Sequence, residues 1–382
     1  MDDTPEALAE IEQLNASFPA TPALKVWKEQ GKKIIAFECT YVPEEIIYAS
    51  GALPIRLIGD SRLANYDDAN ACMYPNTCSF IRNCLEMVLK DRYRFLDGFV
   101  AGSTCDCSRR LADVWEHYGF TPFIHTVGVP RKINDGAYQL YAVELRQLVS
   151  RLEAFMGASI THEALQESIR LYNRRRELLK SLYQMTKADN PPIAGSELLT
   201  ILNASVSLPP EQFNAVTQRL IKELSTGRRK IAGRFRIMVA GSPLNNPDFI
   251  RAIEQMGGLV VIDELCTGVR YWWEGVDFDS DPIKAICRRY LHNFACPRME
   301  PSDDRLQRIL RLVRDFRVQG FITQMVRYCV PQTMEQPMVR EMLEAQGLPV
   351  LELDVEYGMG GTGQITTRLQ AFFEMLQGRT GR

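Results

Sequence analysis

Residues 33–59 read KIIAFECTYVPEEIIYASGALPIRLIG and carry the pattern on which the fold prediction rests. The apolar run KIIAF (33–37) is followed by an amphipathic stretch at 42–52 and by a second apolar run, LPIRLIG, at 53–59. Short apolar runs are typical of buried strands, and the stretch between them has helical spacing. A strand, a helix and a strand in this order predict a mostly parallel sheet with helices on both faces.

The same alternation recurs along the chain and predicts six further strands. They are DGFVAG (97–102), TPFIHTVGVP (121–130), FRIMVAG (235–241), GLVVID (258–263), VQGFIT (318–323) and LPVLELD (348–354). The pattern between Tyr138 and Leu224 is helical, and residues 225–234 have the composition of a linker. We therefore predict two Rossmann-like (flavodoxin-like) α/β lobes, which look like degenerate copies, and a helical insertion. The predicted boundaries are 1–135 for the first lobe, 136–230 for the helical segment and linker, and 231–382 for the second lobe.

Composition narrows the class of protein. The chain has 382 residues, of which 46% are hydrophobic and 24% charged, and its net charge is −2. A nearly neutral chain has no general attraction to nucleic acid or to anionic membranes, so we predict neither as a partner. The acidic N-terminus lacks the features of a signal peptide, and no apolar stretch approaches the ~18 residues of a membrane span. We expect a cytoplasmic protein that acts on a small-molecule substrate.

Ten cysteines are the feature that most needs an explanation, because a reducing compartment does not favour disulfides. Six of them follow predicted strands or lie between them: Cys39, Cys78 and Cys105 in the first lobe, and Cys266, Cys296 and Cys329 in the second. Ligands of open parallel sheets bind in the crevice beyond the carboxyl ends of the strands. Two facing lobes would therefore direct six sulfurs into one cleft.

The spacing of these thiols favours an iron–sulfur cluster. Zinc hooks and thioredoxin-type redox sites use a CxxC motif, and the sequence contains none. Iron–sulfur clusters are held by thiolates that are often far apart in the sequence. Two fully ligated cubanes need about eight thiolates, so six would leave one open iron on each cubane. The alternative is that the cysteines are scattered, buried and without a ligand.

The other cysteines have simpler interpretations. Cys72, Cys84 and Cys287 have no counterparts in the opposite lobe and are expected to act as small apolar residues. Cys107, two residues after Cys105, is expected to lie near a cluster without necessarily binding it.

A glycine-rich segment near the C-terminus resembles a nucleotide-binding loop. Residues 358–363 match G-x-G-x-x-G, but a dinucleotide site needs an acidic residue ~20 positions further on, which is beyond Arg382. We instead expect positive φ or a close backbone approach in this segment. Gln364 and Arg368 follow it and are weak catalytic candidates. Arg368 either faces the cluster or forms an ion pair with Asp354 or Glu356.

Three segments carry a resemblance to a known family. ECTYVPEEIIYASGALPIRL (38–57), FVAGSTCDCSRRL (99–111) and LDVEYGMGGTGQITTRLQAF (353–372) resemble the 2-hydroxyacyl-CoA dehydratase and benzoyl-CoA reductase superfamily. The similarity extends over essentially the whole chain. It implies that Cys78, Cys105 and Cys329 hold one [4Fe–4S] cubane.

The full set of six thiols is similar to that of the double-cubane cluster protein branch. This resemblance implies that Cys39, Cys266 and Cys296 hold a second cubane, joined to the first by a sulfide in an [8Fe–9S] cluster. It further implies a homodimer and an ATP-hydrolysing [4Fe–4S] activator, or reductase, that delivers low-potential electrons under anaerobic conditions. The chain has no G-x-x-x-x-G-K-S/T motif, which agrees with ATP hydrolysis by a partner.

Helix N-termini are expected after Cys39 and after Cys105, where their partial positive charge favours an anionic cluster. Arg109 and Arg110 either add to this charge or form a solvated helix face. Two other functions stay open: a 2-hydroxyacyl-CoA dehydratase component, a lyase with a single [4Fe–4S] cubane and a ketyl-radical mechanism, and a non-catalytic electron-storage or redox-sensing protein.

Overall fold

The fold consists of two four-stranded parallel sheets with helices around them, in a computed structural model that describes residues 4–63, 65–278, 281–292, 295–358 and 363–380. The first sheet contains β1 (Ile34–Phe37), β2 (Leu53–Arg56), β3 (Gly98–Gly102) and β4 (Phe123–Val127). The second contains β5 (Phe235–Gly241), β6 (Gly258–Glu264), β7 (Gly320–Val326) and β8 (Val350–Val355). Each strand overlaps one of the eight predicted apolar runs, so the predicted α/β class is confirmed.

The two sheets have the same topology. The strand orders are β2-β1-β3-β4 and β6-β5-β7-β8, and all neighbouring strands are parallel. In each sheet the second strand in the sequence lies on one side of the first strand, and the third strand lies on the other side. A reversal of this kind opens a crevice at the carboxyl ends of the first and third strands, where ligands of such sheets bind.

Sixteen helices lie in the described part of the chain. They are α1 (Glu6–Asn15), α2 (Pro22–Glu29), α3 (Glu44–Ala49), α4 (Asp67–Cys72), α5 (Ser79–Leu89), α6 (Asp106–Tyr118), α7 (Asp135–Met156), α8 (His162–Met185), α9 (Gly195–Ser205), α10 (Pro210–Leu224), α11 (Pro247–Gln255), α12 (Val269–Trp272), α13 (Pro282–His292), α14 (Asp303–Asp315), α15 (Val330–Ala345) and α16 (Gly363–Thr380). Within the described ranges, none of them is long and apolar enough to cross a bilayer.

The helical segment α7 to α10 packs on both lobes. Helix α7 contacts β4 of the first sheet, whereas α9 contacts β6 of the second sheet and the neighbouring helix α11. One apolar core also extends across the lobes, since it includes Phe99 of β3 and Phe321 of β7. The lobes are therefore joined by a shared core, and the domain boundaries at 135 and 230 stay predictions.

A buried ionic network holds α3, the helix that follows Cys39. Glu45 receives hydrogen bonds from Arg176 at 2.5 Å and from Tyr290 at 2.7 Å. Glu44 receives hydrogen bonds from Arg176 at 3.4 Å and from Tyr271 at 2.6 Å. Since α8 supplies the arginine while α12 and α13 supply the tyrosines, this network ties the helical segment and the second lobe to the first.

Replacement of Arg176 by Met is expected to destabilise the protein by about 3–5 kcal/mol, because Glu45 would stay buried without its cation. The measurement is the free energy of unfolding in urea, under anaerobic conditions. Arg174→Met is the matched control, since Arg174 is half-exposed and pairs with Glu177 on the same helix. Its change should stay within about 0.5 kcal/mol. Equal losses in both variants would contradict a special role for the buried network.

Candidate functional site

Three of the predicted ligands occupy the same position relative to a helix. Cys78, Cys105 and Cys329 are the N-cap residues of α5, α6 and α15. The sulfur of Cys105 accepts a hydrogen bond from the backbone N–H of Ser108 at 3.4 Å. Free N–H groups and the helix dipole make these positions favourable for thiolates and for other anions. The N-cap position was expected for Cys105 alone.

The other three predicted ligands are brought together by contacts between the lobes. Cys39 follows β1, and the two residues after it reach the second lobe. Thr40 donates a hydrogen bond from its hydroxyl to the carbonyl of Cys266 at 2.8 Å. The Tyr41 hydroxyl accepts a hydrogen bond from the backbone N–H of Cys296 at 3.1 Å. The segment around Cys39 therefore bridges to both thiol-bearing loops of the opposite lobe.

The two lobes are not exact copies in their placement of thiols. Cys105 and Cys329 are equivalent, since they follow the third strand of each sheet, β3 and β7. Cys39 follows β1, the first strand, whereas Cys266 follows β6, the second and outermost strand. Cys39 and Cys266 therefore come close to each other from inequivalent positions in the two lobes. Apolar runs alone could not show this, because they do not reveal which strands are topologically equivalent.

The thiols affect one another electrostatically across the cleft. Burial first, and then neighbouring charges that include Cys266, raise the pKa of Cys39 to about 12. Burial also raises the pKa of Cys296, and the charge of Cys266 raises it further. Burial raises the pKa of Cys329 as well, with a contribution from Cys296. Cys39, Cys296 and Cys329 therefore tend to retain their protons, and a neighbouring thiol contributes to the raised pKa of each.

Cys107 is a seventh thiol beside this set. Its sulfur accepts a hydrogen bond from the backbone N–H of Cys78 at 3.4 Å. Hydrogen bonds with the thiols of Cys105 and Cys78 lower the pKa of Cys107 to about 3. Its expected position near the predicted ligands is therefore what the structure shows. By contrast, Cys84 and Cys287 lie in the apolar cores.

Buried arginines supply positive charge to the second set of thiols. Arg56, at the end of β2, donates one hydrogen bond to the Cys266 sulfur at 3.0 Å and another to its carbonyl at 3.1 Å. Burial raises the pKa of Cys266, but Arg56 and Arg270 outweigh it, so that the pKa is lowered overall. Sequence reasoning missed Arg56, although it is the one charged residue in the apolar run LPIRLIG.

The donor set fits an anionic, thiolate-bound group. Arg56 is 1% exposed, and its Nε atom has no hydrogen-bond partner in the part of the chain that the structure describes. Among the residues described, no three His, Cys, Asp or Glu side chains converge on a point that would suit a single metal ion. The thiolates of a cubane bind different irons, so they surround a volume and need not converge. Six thiols, a buried cation and three helix N-termini match that requirement.

The remaining candidate side chains, in α16 and in α6, are exposed at the surface. Gln364 is exposed at the start of α16, and Arg368 donates a hydrogen bond to the carbonyl of Glu352 at 2.7 Å. Arg109 donates a hydrogen bond to Ser103, and Arg110 pairs with carboxylates on its own helix. Gly358 has φ +87°, and a Cβ there would lie 3.0 Å from the Ser61 carbonyl oxygen. Residues 359–362 of the glycine-rich segment lie outside the described residues.

Close packing at the end of β3 restricts the position of Cys39. A Cβ at Gly102 would lie 3.1 Å from the Cys39 Cβ and 3.3 Å from the Thr104 methyl. We expect Gly102→Ala to lower the free energy of unfolding by about 1–3 kcal/mol, through overpacking. The measurement is urea unfolding under anaerobic conditions. Gly136→Ala in the first turn of α7, where the nearest atom is 3.5 Å away, should be neutral or stabilising. A neutral Gly102→Ala would show that Cys39 is free to move.

Comparisons with known proteins agree with this architecture. The chain is 28% identical to "Putative dehydratase subunit YjiM" of Escherichia coli (strain K12), over 91% of this chain and 93% of the relative. It is 26% identical to a subunit of the benzoyl-CoA reductase of Thauera aromatica, over 98% and 99% respectively. It is 25% identical to "(R)-2-hydroxyglutaryl-CoA dehydratase, subunit beta" of Acidaminococcus fermentans, over 97% and 98%. These relatives are named as subunits of dehydratases and of a reductase.

The family comparison covers most of the chain. The model of the family described as "2-hydroxyglutaryl-CoA dehydratase, D-component" matches residues 39–376. The matched region begins at Cys39 and includes both sheets after β1, the helical segment and all six predicted ligands. The chain belongs to the 2-hydroxyglutaryl-CoA dehydratase D-component family.

Proposed function

We propose that this protein is an iron–sulfur reductase that holds an [8Fe–9S] double-cubane cluster in the cleft between its lobes. Cys78, Cys105 and Cys329 would hold one cubane. A second triad of thiols would hold the other: Cys39, Cys266 and Cys296. When bound, the cluster would supply low-potential electrons for the ATP-dependent reduction of a small molecule.

The observation that carries this proposal is the set of contacts between the segment after Cys39 and the loops that carry Cys266 and Cys296. Thr40, next to Cys39, contacts both the carbonyl and the sulfur of Cys266, at 2.8 and 3.5 Å. The neighbouring Tyr41 hydroxyl contacts the backbone of Cys296. If the cysteines were unrelated, there would be no reason for one short segment to contact two loops that both carry a thiol. A ligand bound by both lobes explains these contacts.

The residues around the thiols have roles that suit a strongly anionic group. The N-termini of α5, α6 and α15 favour negative charge at the first triad, and Arg56 favours it at the second. Cys78 is buried and the other five predicted ligands are partly buried, and this limited contact with water strengthens these interactions. The protein therefore provides ligation and charge compensation, while the cluster carries the electrons.

We also propose a homodimer and an ATP-hydrolysing [4Fe–4S] activator as partners. Support comes from the relatives, which are named as subunits. Helix α15 begins directly after Cys329, and Val330, Met334 and Met338 are exposed at helical spacing along it. An electron donor has to come close to the cluster, so this exposed apolar stripe beside a ligand is where we expect the activator to bind.

Iron content tests the double cubane. Protein purified without oxygen should contain about eight irons per chain, four for each cubane. Replacement of Cys266 by Ser should remove about half of the iron, because one thiolate of the second cubane is lost. The measurements are iron and acid-labile sulfide determination, together with EPR of the reduced protein.

Cys287→Ser is the matched control, since Cys287 is also in the second lobe and is buried in an apolar core. It should retain the full iron content. About four irons in the natural protein, unchanged by Cys266→Ser or Cys39→Ser, would refute the double cubane and leave a single [4Fe–4S] centre.

A dehydratase component is the second candidate, and it is favoured by the family description and by the names of several relatives. It differs from the reductase in three measurable ways. A dehydratase component would bind a 2-hydroxyacyl-CoA, form a complex with an unlike subunit and tolerate Cys39→Ser. An electron-storage protein, the third candidate, would be reduced reversibly without turnover of any small molecule.

A further inference from the structure

The contact between Arg56 and Cys266 has a consequence for electron transfer that goes beyond cluster binding. We propose that Arg56 compensates the negative charge of the cluster half held by Cys266 and raises its reduction potential relative to a site without that cation. This inference rests on the proposed double cubane. It concerns the reduction potential of one half of the cluster, which the identity of the ligands alone does not determine.

The geometry makes Arg56 a direct partner of the thiol. Its Nη2 atom lies 3.0 Å from the Cys266 sulfur, and its Nη1 atom lies 3.1 Å from the carbonyl oxygen of the same residue. The guanidinium also lies over the ring of Tyr271, with its carbon 5.8 Å from the ring centre. At 1% exposure, Arg56 has little access to water that would screen its charge.

Arg56 differs from Arg270 and Arg305, two other arginines near the second triad, in lacking an ion pair with a carboxylate of the described residues. Arg270 lies 3.2 Å from a carboxylate oxygen of Glu264, and Arg305 lies 2.8 Å from the other oxygen. Each of those cations is at least partly neutralised before any cluster is bound. Among the described residues, no Asp or Glu lies within ion-pair distance of Arg56. The buried carboxyl of Glu38 accepts its hydrogen bonds from Gly102 and Ser108, and Arg56 acts on it only through longer-range electrostatic attraction.

A charged donor on a ligand sulfur favours the reduced state. Reduction adds negative charge to the cluster and its thiolates, and a guanidinium stabilises that charge more strongly than a neutral donor does. Hydrogen bonds to the sulfurs and local net charge are known determinants of cluster potential. Removal of Arg56 should therefore make the reduction of this half more difficult.

The first triad is compensated differently, so the effect should be confined to one half. The sulfurs of Cys105 and Cys107 accept hydrogen bonds from the backbone N–H groups of Ser108 and Cys78. Those donors are neutral, and their contribution comes from helix N-termini. They do not depend on Arg56. Loss of its charge should shift one of two reduction steps.

The experiment is a redox titration of the anaerobic holoprotein, followed by EPR, on three variants of Arg56. Arg56→Lys keeps a charge but loses the forked contact, Arg56→Gln keeps a neutral donor, and Arg56→Met keeps neither. The midpoint potential of one reduction step is expected to be highest in the natural protein and to decrease through Arg56→Lys and Arg56→Gln to Arg56→Met. The other step should stay in place. Iron content is measured on every sample, and Arg109→Met, an exposed change beside the first triad, is the control.

The outcomes separate this inference from the proposed function. A Gln or Met variant that keeps about eight irons and has both steps unshifted overturns the role of Arg56 and leaves the double cubane intact. The neutral variants could instead lose the second cubane while Arg56→Lys retains it, which would support the need for a positive charge at this position. In that case the Lys variant tests the effect on potential, and an unshifted midpoint potential in Arg56→Lys overturns it. About four irons in the natural protein, insensitive to Cys266→Ser, refutes the double cubane itself.

Discussion

The proposed site depends on the placement of negative charge among partly buried thiols of both lobes. Thiolates and an iron–sulfur cluster are anionic, and a buried anion is unstable unless positive charge or directed N–H groups surround it. Burial raises the pKa of Cys39 and Cys329, so without compensation these thiols keep their protons. Helix N-termini at one triad and a guanidinium at the other provide that compensation. Much of the architecture around the cleft serves to hold those groups in place.

The fold was largely predictable because apolar runs and helical spacing are local properties. All eight strands were found, and the predicted positions of Cys105 and Cys329 beyond the ends of strands agree with the structure. Arg56 was missed, since its partner Cys266 is distant in the sequence and belongs to the other lobe. The N-cap positions of Cys78 and Cys329 were also missed, because cysteine is not among the usual capping residues.

Buried negative charge also occurs away from the thiols, at the two carboxylates of α3. Glu44 and Glu45 lie shortly after Cys39, are fully buried, and are neutralised by arginines of α8. An ionic network of this kind contributes less to net stability than well-packed apolar side chains, since desolvation offsets much of the attraction. Its geometry is nevertheless specific, because both carboxylates need their partners at once. It therefore fixes the helix that follows Cys39 more precisely than apolar contacts alone.

The inequivalence of the two lobes explains how one site obtains both its ligand and its counter-charge. Strands β2 and β6 occupy the same place in their sheets, yet β2 ends in Arg56 and β6 leads to Cys266. One lobe therefore presents a cation where the other presents a thiol, and the two meet across the cleft at 3.0 Å. Arg56 stays buried only while the lobes are packed together, because Cys266 and Tyr271 of the second lobe cover its guanidinium. The contact that places positive charge beside Cys266 is thus also a contact that joins the two lobes.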